Sequence, residues 1–502
     1  MKRKRLKSII ALACATIMSF SLVGCGSSSS GDSSDKITQI NMAIIGDMPK
    51  HIDNFYKKLD ALTEKDLKIK VRFQNITWQD LQTKYNLALT SGNLDIVPSG
   101  NWLSFAGNAK KNAFMDITDK VKTDTPDLYN KISKQDWAGD TIDGKIYGIP
   151  QTEQSYGNAL GFQYRDDLRT KYNLPEIKDL DTMEQYLTTV KKNEKDMPYV
   201  IDQDFVTGYE QAATGLMSIE ADGVVSSGIS QYGLFVDPND VSKSVSIFDK
   251  PEYKDLLKRV KKWADEGLVN KNILAGQDKP EDMGKAGSLP GDLLSYFEKS
   301  KDWGYQIEKD HPNWKMAFWM YSDKNIVKSR TGQTCEVILR NSKHPDLALK
   351  FLQKVRTDRT YFDLMNYGIK GTNYNLTSDG KIDMSKITDE YKFNPTSCWQ
   401  DIKFTRKGTN EWSKSPELEA TFKDKAKNNP LNGFYFDSSS VQTEIANLEQ
   451  VRLQYLAPVQ NGMSKDPEKD LQTAVEKFKA AGIDKVKAEV DKQLKAFVKS
   501  KK

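Results

Sequence analysis

Histidine and cysteine are scarce in this chain of 502 residues, which contains three histidines and four cysteines. The histidines (His51, His311 and His344) are far apart and show none of the spacings that bind zinc. The sequence also lacks a nucleophile elbow, a phosphate-binding loop and a catalytic Cys–His arrangement. These absences argue against the common hydrolase and nucleotide-dependent enzyme classes, and no metal or cofactor is expected.

An excess of positive charge is also missing once the first 24 residues are set aside. The whole chain has 74 basic and 69 acidic residues, but residues 1–24 hold five basic and no acidic ones, so the remainder carries 69 of each. A protein that binds nucleic acid is expected to keep a basic excess or a basic stripe, and no concentrated one is present. Nucleic acid is therefore not expected as a partner.

The apolar run at the N-terminus is too short to span a bilayer, which takes about 20 apolar residues. It covers residues 9–23, follows a basic start and ends at the small residue Gly24. This arrangement predicts a secretory signal over residues 1–24. The sequence Leu22-Val23-Gly24-Cys25 resembles the lipobox of bacterial lipoproteins, which implies that Cys25 carries diacylglycerol after the leader is cut. A plain signal peptide with an incidental cysteine is the alternative.

The segment after Cys25 is almost entirely Gly, Ser and Asp through residue 35 and has no apolar side chain to bury. We expect residues 25–36 to be a flexible tether on the extracytoplasmic face of the cell membrane. Of the other cysteines, Cys14 leaves with the leader. Cys335 and Cys398 could pair, but two cysteines this far apart in sequence define no disulfide framework.

The chain beyond the tether is long enough for two domains or more. Its first part alternates strand-like and helical apolar patterns, with Thr77 as a candidate helix cap. Strand, helix, strand, helix, strand at this spacing predicts right-handed crossovers and a parallel sheet, so the opening lobe is expected to be α/β. The strand-like patterns lie at residues 40–44, 69–73 and 94–97, and the helical patterns at residues 52–62 and 81–89.

Three further patterns organise the rest of the chain. Asp143-Gly144 lies between short apolar segments and predicts a hairpin with a tight turn. Residues 159–164 are strand-like, and residues 345–356 are helical. In the tail, apolar residues on one helical face predict a docked helix rather than a helix that seeks the membrane. That face carries Phe478, Ile483, Val486, Val490, Leu494 and Phe497.

Taken together, these pieces resemble a bacterial extracellular solute-binding protein of the family (family 1 type) that serves ABC importers of oligosaccharides. The resemblance covers nearly the whole chain after the leader, and its strength lies in the order and spacing of several segments. The segments are DGKIYGIP (143–150), YRDDLRTKYNL (164–174), KRVKKWADEGLVNKNIL (258–274) and HPDLALKFLQKVRTDRTYFDLMNYGIKG (344–371). The C-terminal segments NPLNGFYFDSSSVQTEIANLEQV (429–451) and AAGIDKVKAEVDKQLKAF (480–497) are similar to a lipoprotein subgroup of that family.

The resemblance implies a two-lobed α/β fold of the type II periplasmic-binding-protein kind, in which lobes joined by crossing segments close on a ligand. Residues 37–150 are expected to form the first part of lobe 1, and residues 151–315 mainly lobe 2. Residues 316–502 are expected to return to both lobes and to end in a helical region. The implied function is capture of an oligosaccharide outside the membrane and its delivery to permease subunits, by a monomer without enzymatic activity.

Ligands of open parallel sheets bind beyond the carboxyl ends of the strands. A sugar ring has an apolar face and a rim of hydroxyls, so aromatic platforms beside short polar side chains suit it. Two of the three strand-end loops in the first part of the chain carry a tryptophan beside Asp or Asn. The candidates there are Asp47, Trp78, Asn101 and Trp102. Those after the first crossing motif are Glu153 and Tyr156, near Gln151 and Thr152, and those from the second lobe and its returns are Asp292, Trp319, Tyr321 and Trp399.

Packing is the competing interpretation for every tryptophan in a chain of this size. Five of them are assigned here to packing or surface: Trp137, Trp263, Trp303, Trp314 and Trp412. Other functions also stay open at this point. A peptide or another small polar solute is the nearest alternative ligand, a surface adhesin is a further one, and composition alone does not exclude a glycosidase-like carboxylate pair.

Overall fold

The computed structural model describes residues 36–46, 48–77, 80–152, 160–197, 225–269, 283–284, 286–320, 326–328, 330, 334–391, 393, 401 and 403–501. Among these residues, none of the helices combines the length and the apolar character that a membrane crossing requires.

The described elements alternate between helices and short strands. The first group is β1 (Thr38–Ile45), α1 (Ile52–Leu67), β2 (Ile69–Ile76), α2 (Leu81–Thr90), β3 (Ile96–Gly100), α3 (Phe105–Lys110), α4 (Lys120–Thr123), α5 (Pro126–Lys131), α6 (Lys134–Gly139), β4 (Thr141–Ile142), β5 (Lys145–Ile146) and β6 (Gly148–Pro150). The second is β7 (Leu160–Arg165), α7 (Asp166–Lys171), α8 (Leu180–Asn193), β8 (Val225–Ser226), β9 (Leu234–Asp237), β10 (Asp240–Ser246), α9 (Pro251–Asp265), β11 (Gly291–Tyr296), α10 (Phe297–Asp310) and β12 (Met316–Trp319). The third is β13 (Thr334–Ile338), α11 (Pro345–Thr357), α12 (Arg359–Tyr367), β14 (Asn375–Leu376), β15 (Ile382–Asp383), α13 (Ser415–Lys425), α14 (Gln442–Val451), α15 (Ala457–Gln460), α16 (Pro467–Ala480) and α17 (Ile483–Ser500).

Lobe 1 is built on a five-stranded sheet with the order β2-β1-β3-β13-β6. β1 is parallel to both β2 and β3, as the strand and helix pattern predicts. β13 arrives from much later in the chain and is antiparallel to both of its neighbours, β3 and β6. β6 therefore runs in the same direction as β1, β2 and β3.

β1 shows how the sequence fills both faces of this sheet. Successive side chains of a strand point to opposite faces, and nearly all of the second half of β1 is apolar. Ile40 and Met42 join the core on one face, where Phe55 of α1 packs, whereas Ala43 and Ile45 join the core on the other. Because helices cover both faces of this sheet, the ends of its strands are the parts that stay uncovered.

The local predictions for lobe 1 are largely confirmed. α1 covers the predicted helix, and its Phe55 and Leu59 are buried. The predicted hairpin joins β4 to β5, and Asp143 and Gly144 both have positive φ (50° and 80°), as a tight turn of this kind requires.

Two predictions at the strand ends are wrong. β3 begins at Ile96 rather than at residue 94, and the carboxylate of Asp95 accepts hydrogen bonds from Asn41 N (2.9 Å) and Ser342 Oγ (2.6 Å). Thr77 does not occupy the cap position of α2, because Asp80 is the residue that precedes the helix; the Thr77 hydroxyl donates to Asp80 Oδ2 (3.0 Å) and accepts from Asp80 N (3.3 Å).

Lobe 2 contains two small antiparallel sheets, β11-β7-β12 and β10-β9-β8. One large apolar core joins them to helices from the middle of the chain and to helices from its C-terminus. On α17, Val486, Val490 and Leu494 are fully buried in that core. The docked tail helix is therefore confirmed, and the membrane-seeking alternative is wrong.

Most tryptophans assigned to packing are buried. Trp137, Trp263, Trp303 and Trp412 are 5% exposed or less, and the Trp263 indole N–H donates to Glu184 Oε2 (3.0 Å). Trp314 is less buried but is part of a stack, with its ring 3.6 Å from the ring of His311.

Candidate functional site

The carboxyl ends of β1, β2, β3 and β6 lie at one edge of the lobe 1 sheet, because these four strands run in the same direction. The chain leaves lobe 1 from this edge, directly after Pro150, and returns to it at Thr334. The two arms of this crossing are joined where Gln151 N donates to Thr334 O (3.0 Å). The edge predicted to hold the ligand is thus also the edge from which the chain passes to lobe 2.

Asn101 and Trp102 lie at this edge, in a single 3-10 turn (Asn101–Leu103) that follows β3 directly. Trp102 is 39% exposed, whereas the residues on its C-terminal side, Leu103 and Phe105, are buried in the core. Buried side chains on one side and the buried strand on the other hold the turn in place. The structure therefore presents an indole on a fixed backbone at the predicted position.

Trp319 lies at the corresponding edge of lobe 2. β7 begins soon after the chain enters lobe 2, β12 ends where the chain leaves it, and antiparallel pairing places Trp319 opposite Phe162. The free end of β12 is thus the end nearest the crossing segments. Trp319 is partly buried and packs against the lobe 2 core, so only part of its indole is open to a ligand.

Asp292 is placed differently from the other candidates. It pairs with Gln163 in the interior of the lobe 2 sheet and is only 3% exposed. A carboxylate with so little surface has little room to reach a ligand, and this placement favours a structural role. Seven predicted residues lie outside the described residues and stay predictions: Cys25, Asp47, Trp78, Glu153, Tyr156, Tyr321 and Trp399.

Two pairs of segments run side by side between the lobes. Thr152, just after β6, forms a parallel bridge with Asp401, and Val327 forms one with Lys427. The second pair is reinforced by backbone hydrogen bonds from Lys328 N to Lys427 O (2.9 Å) and from Lys427 N to Ile326 O (2.9 Å).

A buried polar cluster lies beneath the first of these pairs. Arg356, at the end of α11, is fully buried and donates from Nη2 to Pro150 O (2.8 Å). Glu336 of β13 is also fully buried, with Oε2 3.9 Å from Arg356 Nη1, and Asp401 Oδ2 is 4.0 Å from Arg356 Nε. Asp140 is the third buried carboxylate. We call Asp140, Glu336, Arg356 and Asp401 the hinge cluster.

Charge in the hinge cluster is poorly compensated. Among the described residues, both carboxylate oxygens of Glu336 and of Asp140, together with Nε and Nη1 of Arg356, are buried without a conventional hydrogen-bonded partner. Burial raises the pKa of Glu336 to about 8, although the nearby Arg356 opposes the shift, so this carboxyl is held mainly in its neutral form at neutral pH. Burial also raises the pKa of Asp140, a shift opposed by the thiol of the buried Cys335.

Lys131 completes the surroundings of the cluster. Its Nζ lies 3.1 Å from Asp401 Oδ2, and it also donates to the carbonyl oxygen of Arg356. Burial lowers the pKa of Lys131, while Asp401 opposes that shift. The cluster thus connects three helix ends and two strands of lobe 1 to the point at which the first crossing segment departs.

The residues of the hinge cluster were missed by sequence reasoning. Arg356 ends a helix with several other cations, and nothing in its surroundings distinguishes it from a solvated residue. Only Glu336 could have pointed to the cluster from the sequence, because it is a carboxylate between apolar residues of the strand TCEVI. Cys335, beside it, contacts Asp140, and Cys398 lies outside the described residues, so their pairing stays untested.

The sequence matches a family model described as bacterial extracellular solute-binding protein over residues 57–381, more than half of the chain. A second model, described as a domain of unknown function (DUF3502), matches residues 430–499. These residues include the C-terminal helices that complete the lobe 2 core.

Similar proteins are known from other bacteria. A carbohydrate ABC transporter substrate-binding protein of Streptococcus pneumoniae is 27% identical over 508 residues, covering 99% of this chain and 98% of that protein. A polygalacturonan/rhamnogalacturonan-binding protein of Bacillus subtilis, YtcQ, is 26% identical and covers 67% of each chain.

Solved structures show the same fold. The N-glycan transport solute-binding protein NgtS of S. pneumoniae superposes with a TM-score of 0.70 at 22% identity, covering 93% of this chain and 100% of that one. The alginate-binding protein AlgQ2 superposes with a TM-score of 0.64 at 18% identity, covering 92% and 98%. The chain has the two-lobed α/β fold of solute-binding proteins, and it belongs to the bacterial extracellular solute-binding protein family.

Proposed function

We propose that this protein is the substrate-binding lipoprotein of a carbohydrate ABC importer, which captures an oligosaccharide outside the membrane and delivers it unchanged to permease subunits. The observation that carries the proposal is Trp102, an indole held 39% exposed at the carboxyl edge of the lobe 1 sheet. Asn101 beside it supplies hydrogen-bonding groups for hydroxyls. The names of the relatives, which include carbohydrate, polygalacturonan/rhamnogalacturonan and N-glycan proteins, support the same ligand class.

The mechanism follows from the placement of Trp102 at the edge of lobe 1 and of Trp319 at the edge of lobe 2. An open form admits the glycan, which stacks on Trp102 and hydrogen-bonds to neighbouring polar groups. Contacts with lobe 2, where Trp319 is partly open, form only when the lobes approach, so the ligand favours the closed form by its additional affinity for it. The paired crossing segments guide this motion. In this mechanism the protein acts as a monomer and performs no chemistry on the glycan.

The decisive experiment is calorimetric titration of the mature chain, residues 25–502, with a panel of oligosaccharides and short peptides. We expect an oligosaccharide to bind, and Trp102→Ala to weaken that binding by well over tenfold, because the main stacking platform is lost. Thermal stability should change little, since the side chain is exposed. The matched control is Leu87→Ala, which removes another exposed apolar side chain (67%) from lobe 1 and should leave binding unchanged.

Three outcomes would contradict the proposal. Binding of peptides but not of sugars would assign a peptide ligand. Turnover of a bound glycan would show an enzyme. Collapse of thermal stability in Trp102→Ala would show that the indole is part of the core.

Membrane attachment is proposed through Cys25. We expect cells to incorporate radiolabelled palmitate into the wild-type protein, and Cys25→Ser to abolish the label and release the protein from the membrane, because the thiol that carries the lipid is lost. Cys398→Ser serves as the matched cysteine control and should keep the label. An unlabelled wild-type protein would show that residues 1–24 are a plain signal peptide.

A further inference from the structure

Two exposed rings lie at the lobe 1 edge and have no role in the site described so far. His51, in the loop between β1 and α1, stacks on Tyr391 with ring centroids 4.8 Å apart and planes inclined by 15°. The Nε2 atom of His51 lies 2.9 Å from Oε1 of Glu390. The side chains of His51 and Glu390 are 40% and 56% exposed, and Tyr391 is 37% exposed, so all three are accessible.

The topology places this group on the same edge as Trp102. His51 follows the carboxyl end of β1, Trp102 follows the carboxyl end of β3, and β1 and β3 are parallel neighbours in the sheet. Neighbouring strands are about 4.8 Å apart. The loops that carry the two residues therefore leave the same edge of the sheet from neighbouring strands.

Tyr391 is held in place from both sides. Asn373 Nδ2 donates to Tyr391 O (2.7 Å), and Phe393, two residues further on, stacks on Phe55 of α1 at 4.8 Å. A ring on a backbone that is already fixed loses little freedom when a ligand covers it.

Packing does not require the Tyr391 ring to be where it is. The neighbouring Phe393 is 5% exposed and supplies the apolar contact with α1, whereas Tyr391 lies outside the apolar cores. His51 covers one face of the Tyr391 ring, and the residue keeps 37% of its surface exposed. An exposed aromatic ring beside a carboxylate and an imidazole matches the apolar face and the hydroxyls of a sugar ring.

We propose that Tyr391, His51 and Glu390 form an outer subsite for a further sugar ring of the glycan that is bound at Trp102. This inference rests on the proposed function, because it assumes that an oligosaccharide occupies the lobe 1 edge. In the subsite Tyr391 is the platform, while Glu390 accepts hydrogen bonds from sugar hydroxyls. His51 is a positioning residue that supports the ring from behind. The subsite extends the site along the edge and favours longer chains.

The test is a comparison of chain lengths. The mature chain is titrated with homologous series of xylo-, manno-, malto- and galacturono-oligosaccharides from two to eight rings. We expect the longer members of one series to bind at least tenfold more tightly than the disaccharide. Tyr391→Ala should remove about five- to tenfold of that gain and leave the disaccharide affinity unchanged, because only the outer ring is lost.

Two controls separate the subsite from a general effect. Tyr391→Phe keeps the ring and should keep most of the gain in affinity with chain length. This result would show that the loss in Tyr391→Ala comes from removal of the ring and not from misfolding. Leu453→Ala, at an exposed apolar residue of lobe 2 (46%), should change neither affinity.

The outcomes also separate the two proposals. If Tyr391→Ala lost the same factor of affinity for short and for long oligosaccharides, or lost none for either, the subsite would be overturned while sugar binding would stay intact. A wild-type protein that binds long and short members equally would also overturn it. Binding of no sugar at all, in these series or in the wider panel, would overturn the proposed function and the subsite with it.

Discussion

Arg356 of lobe 1 and Arg165 of lobe 2 are both buried, and the two are compensated in opposite ways. In lobe 2, Arg165 is 5% exposed, donates from Nε and Nη2 to the two carboxylate oxygens of Asp167 (2.7 and 2.6 Å) and lies 3.4 Å from the ring of Trp314. In lobe 1, Arg356 is fully buried, and no carboxylate of the described residues is closer to it than 3.9 Å. The first is a closed ion pair, whereas the second is a cation shared loosely among several acids.

The difference shows what each arginine is suited to do. A bidentate pair with a stacked ring fixes one geometry and gains from it. A loose buried cluster pays most of the desolvation cost without close pairing, so its net contribution to stability is small or negative. Because the Arg356 guanidinium donates to Pro150 O, its loose pairing lies at the start of the first crossing segment.

The largest expected effect comes from removing the cation of the hinge cluster. Arg356→Met should lower the free energy of unfolding by about 3–5 kcal/mol at pH 8, because Glu336, with a pKa of about 8, is then partly ionised and loses its counter-charge, and because the hydrogen bond to Pro150 O is lost. Chemical denaturation at pH 8 measures this loss. Arg72→Met is the matched control, since Arg72 pairs with Asp60 (2.8 Å) at the surface of the same lobe and should lose about 1 kcal/mol or less.

A double variant sharpens the result. Replacing Glu336 as well, in Arg356→Met/Glu336→Leu, removes cation and anion together and should recover much of the lost stability. A double variant as unstable as Arg356→Met alone would show that the hydrogen bond to Pro150 O, rather than uncompensated charge, dominates.

A smaller effect is expected in the pH dependence of stability. The pKa of Glu336 is about 8 in the folded protein, well above its ordinary value, because of burial. The folded state therefore holds more protons than the unfolded state between pH 5 and 8, and the free energy of unfolding falls as the pH rises through this range. Glu336→Gln, which cannot ionise, should reduce that fall by roughly 2–3 kcal/mol.

The comparison is made by denaturation of both proteins at pH 5 and at pH 8. Asp140 keeps its own raised pKa in the variant, so part of the slope should remain. Glu194→Gln is the control from lobe 2 and should not alter the slope in this range, because the hydrogen bond from Lys171 holds the pKa of Glu194 below its ordinary value. Parallel pH profiles for the wild type and Glu336→Gln would contradict a buried, neutral Glu336.

The smallest effect is expected at the closed pair of lobe 2. Arg165→Met should cost about 1–2 kcal/mol, less than Arg356→Met, because Asp167 is 21% exposed and can be hydrated when its partner is removed. Denaturation midpoints at pH 8 give the ranking. If Arg165→Met lost more free energy of unfolding than Arg356→Met, the comparison between the lobes would be reversed.

Local sequence patterns predicted much of the fold. The hairpin at Asp143-Gly144 follows from the two residue types that best accept positive φ, and the buried face of α17 follows from helical spacing alone. Trp102 could be placed at the ligand edge because a strand pattern ends just before it. These predictions depend on neighbours in sequence, and such neighbours are visible without the structure.

The hinge cluster and the outer subsite could not be predicted in this way. Asp140, Glu336, Arg356 and Asp401 are brought together by β13, which joins the first sheet after the chain has built most of lobe 2. His51 and Tyr391 are separated by more than 300 residues. Asp292 shows the converse failure, because it was predicted to bind the ligand, whereas β11 begins at Gly291 and buries it.

The late arrival of certain segments has a consequence for how the chain matures. Synthesis proceeds from the N-terminus, yet the central sheet of lobe 1 stays incomplete until residues 334–338 are made, and the interior of lobe 2 stays open until α17 supplies Val486, Val490 and Leu494. Neither half can reach its final packing while most of the polypeptide is still emerging. Both lobes therefore complete their packing only after segments from late in the chain have joined them, and a partly synthesised chain exposes apolar surface that these segments later cover.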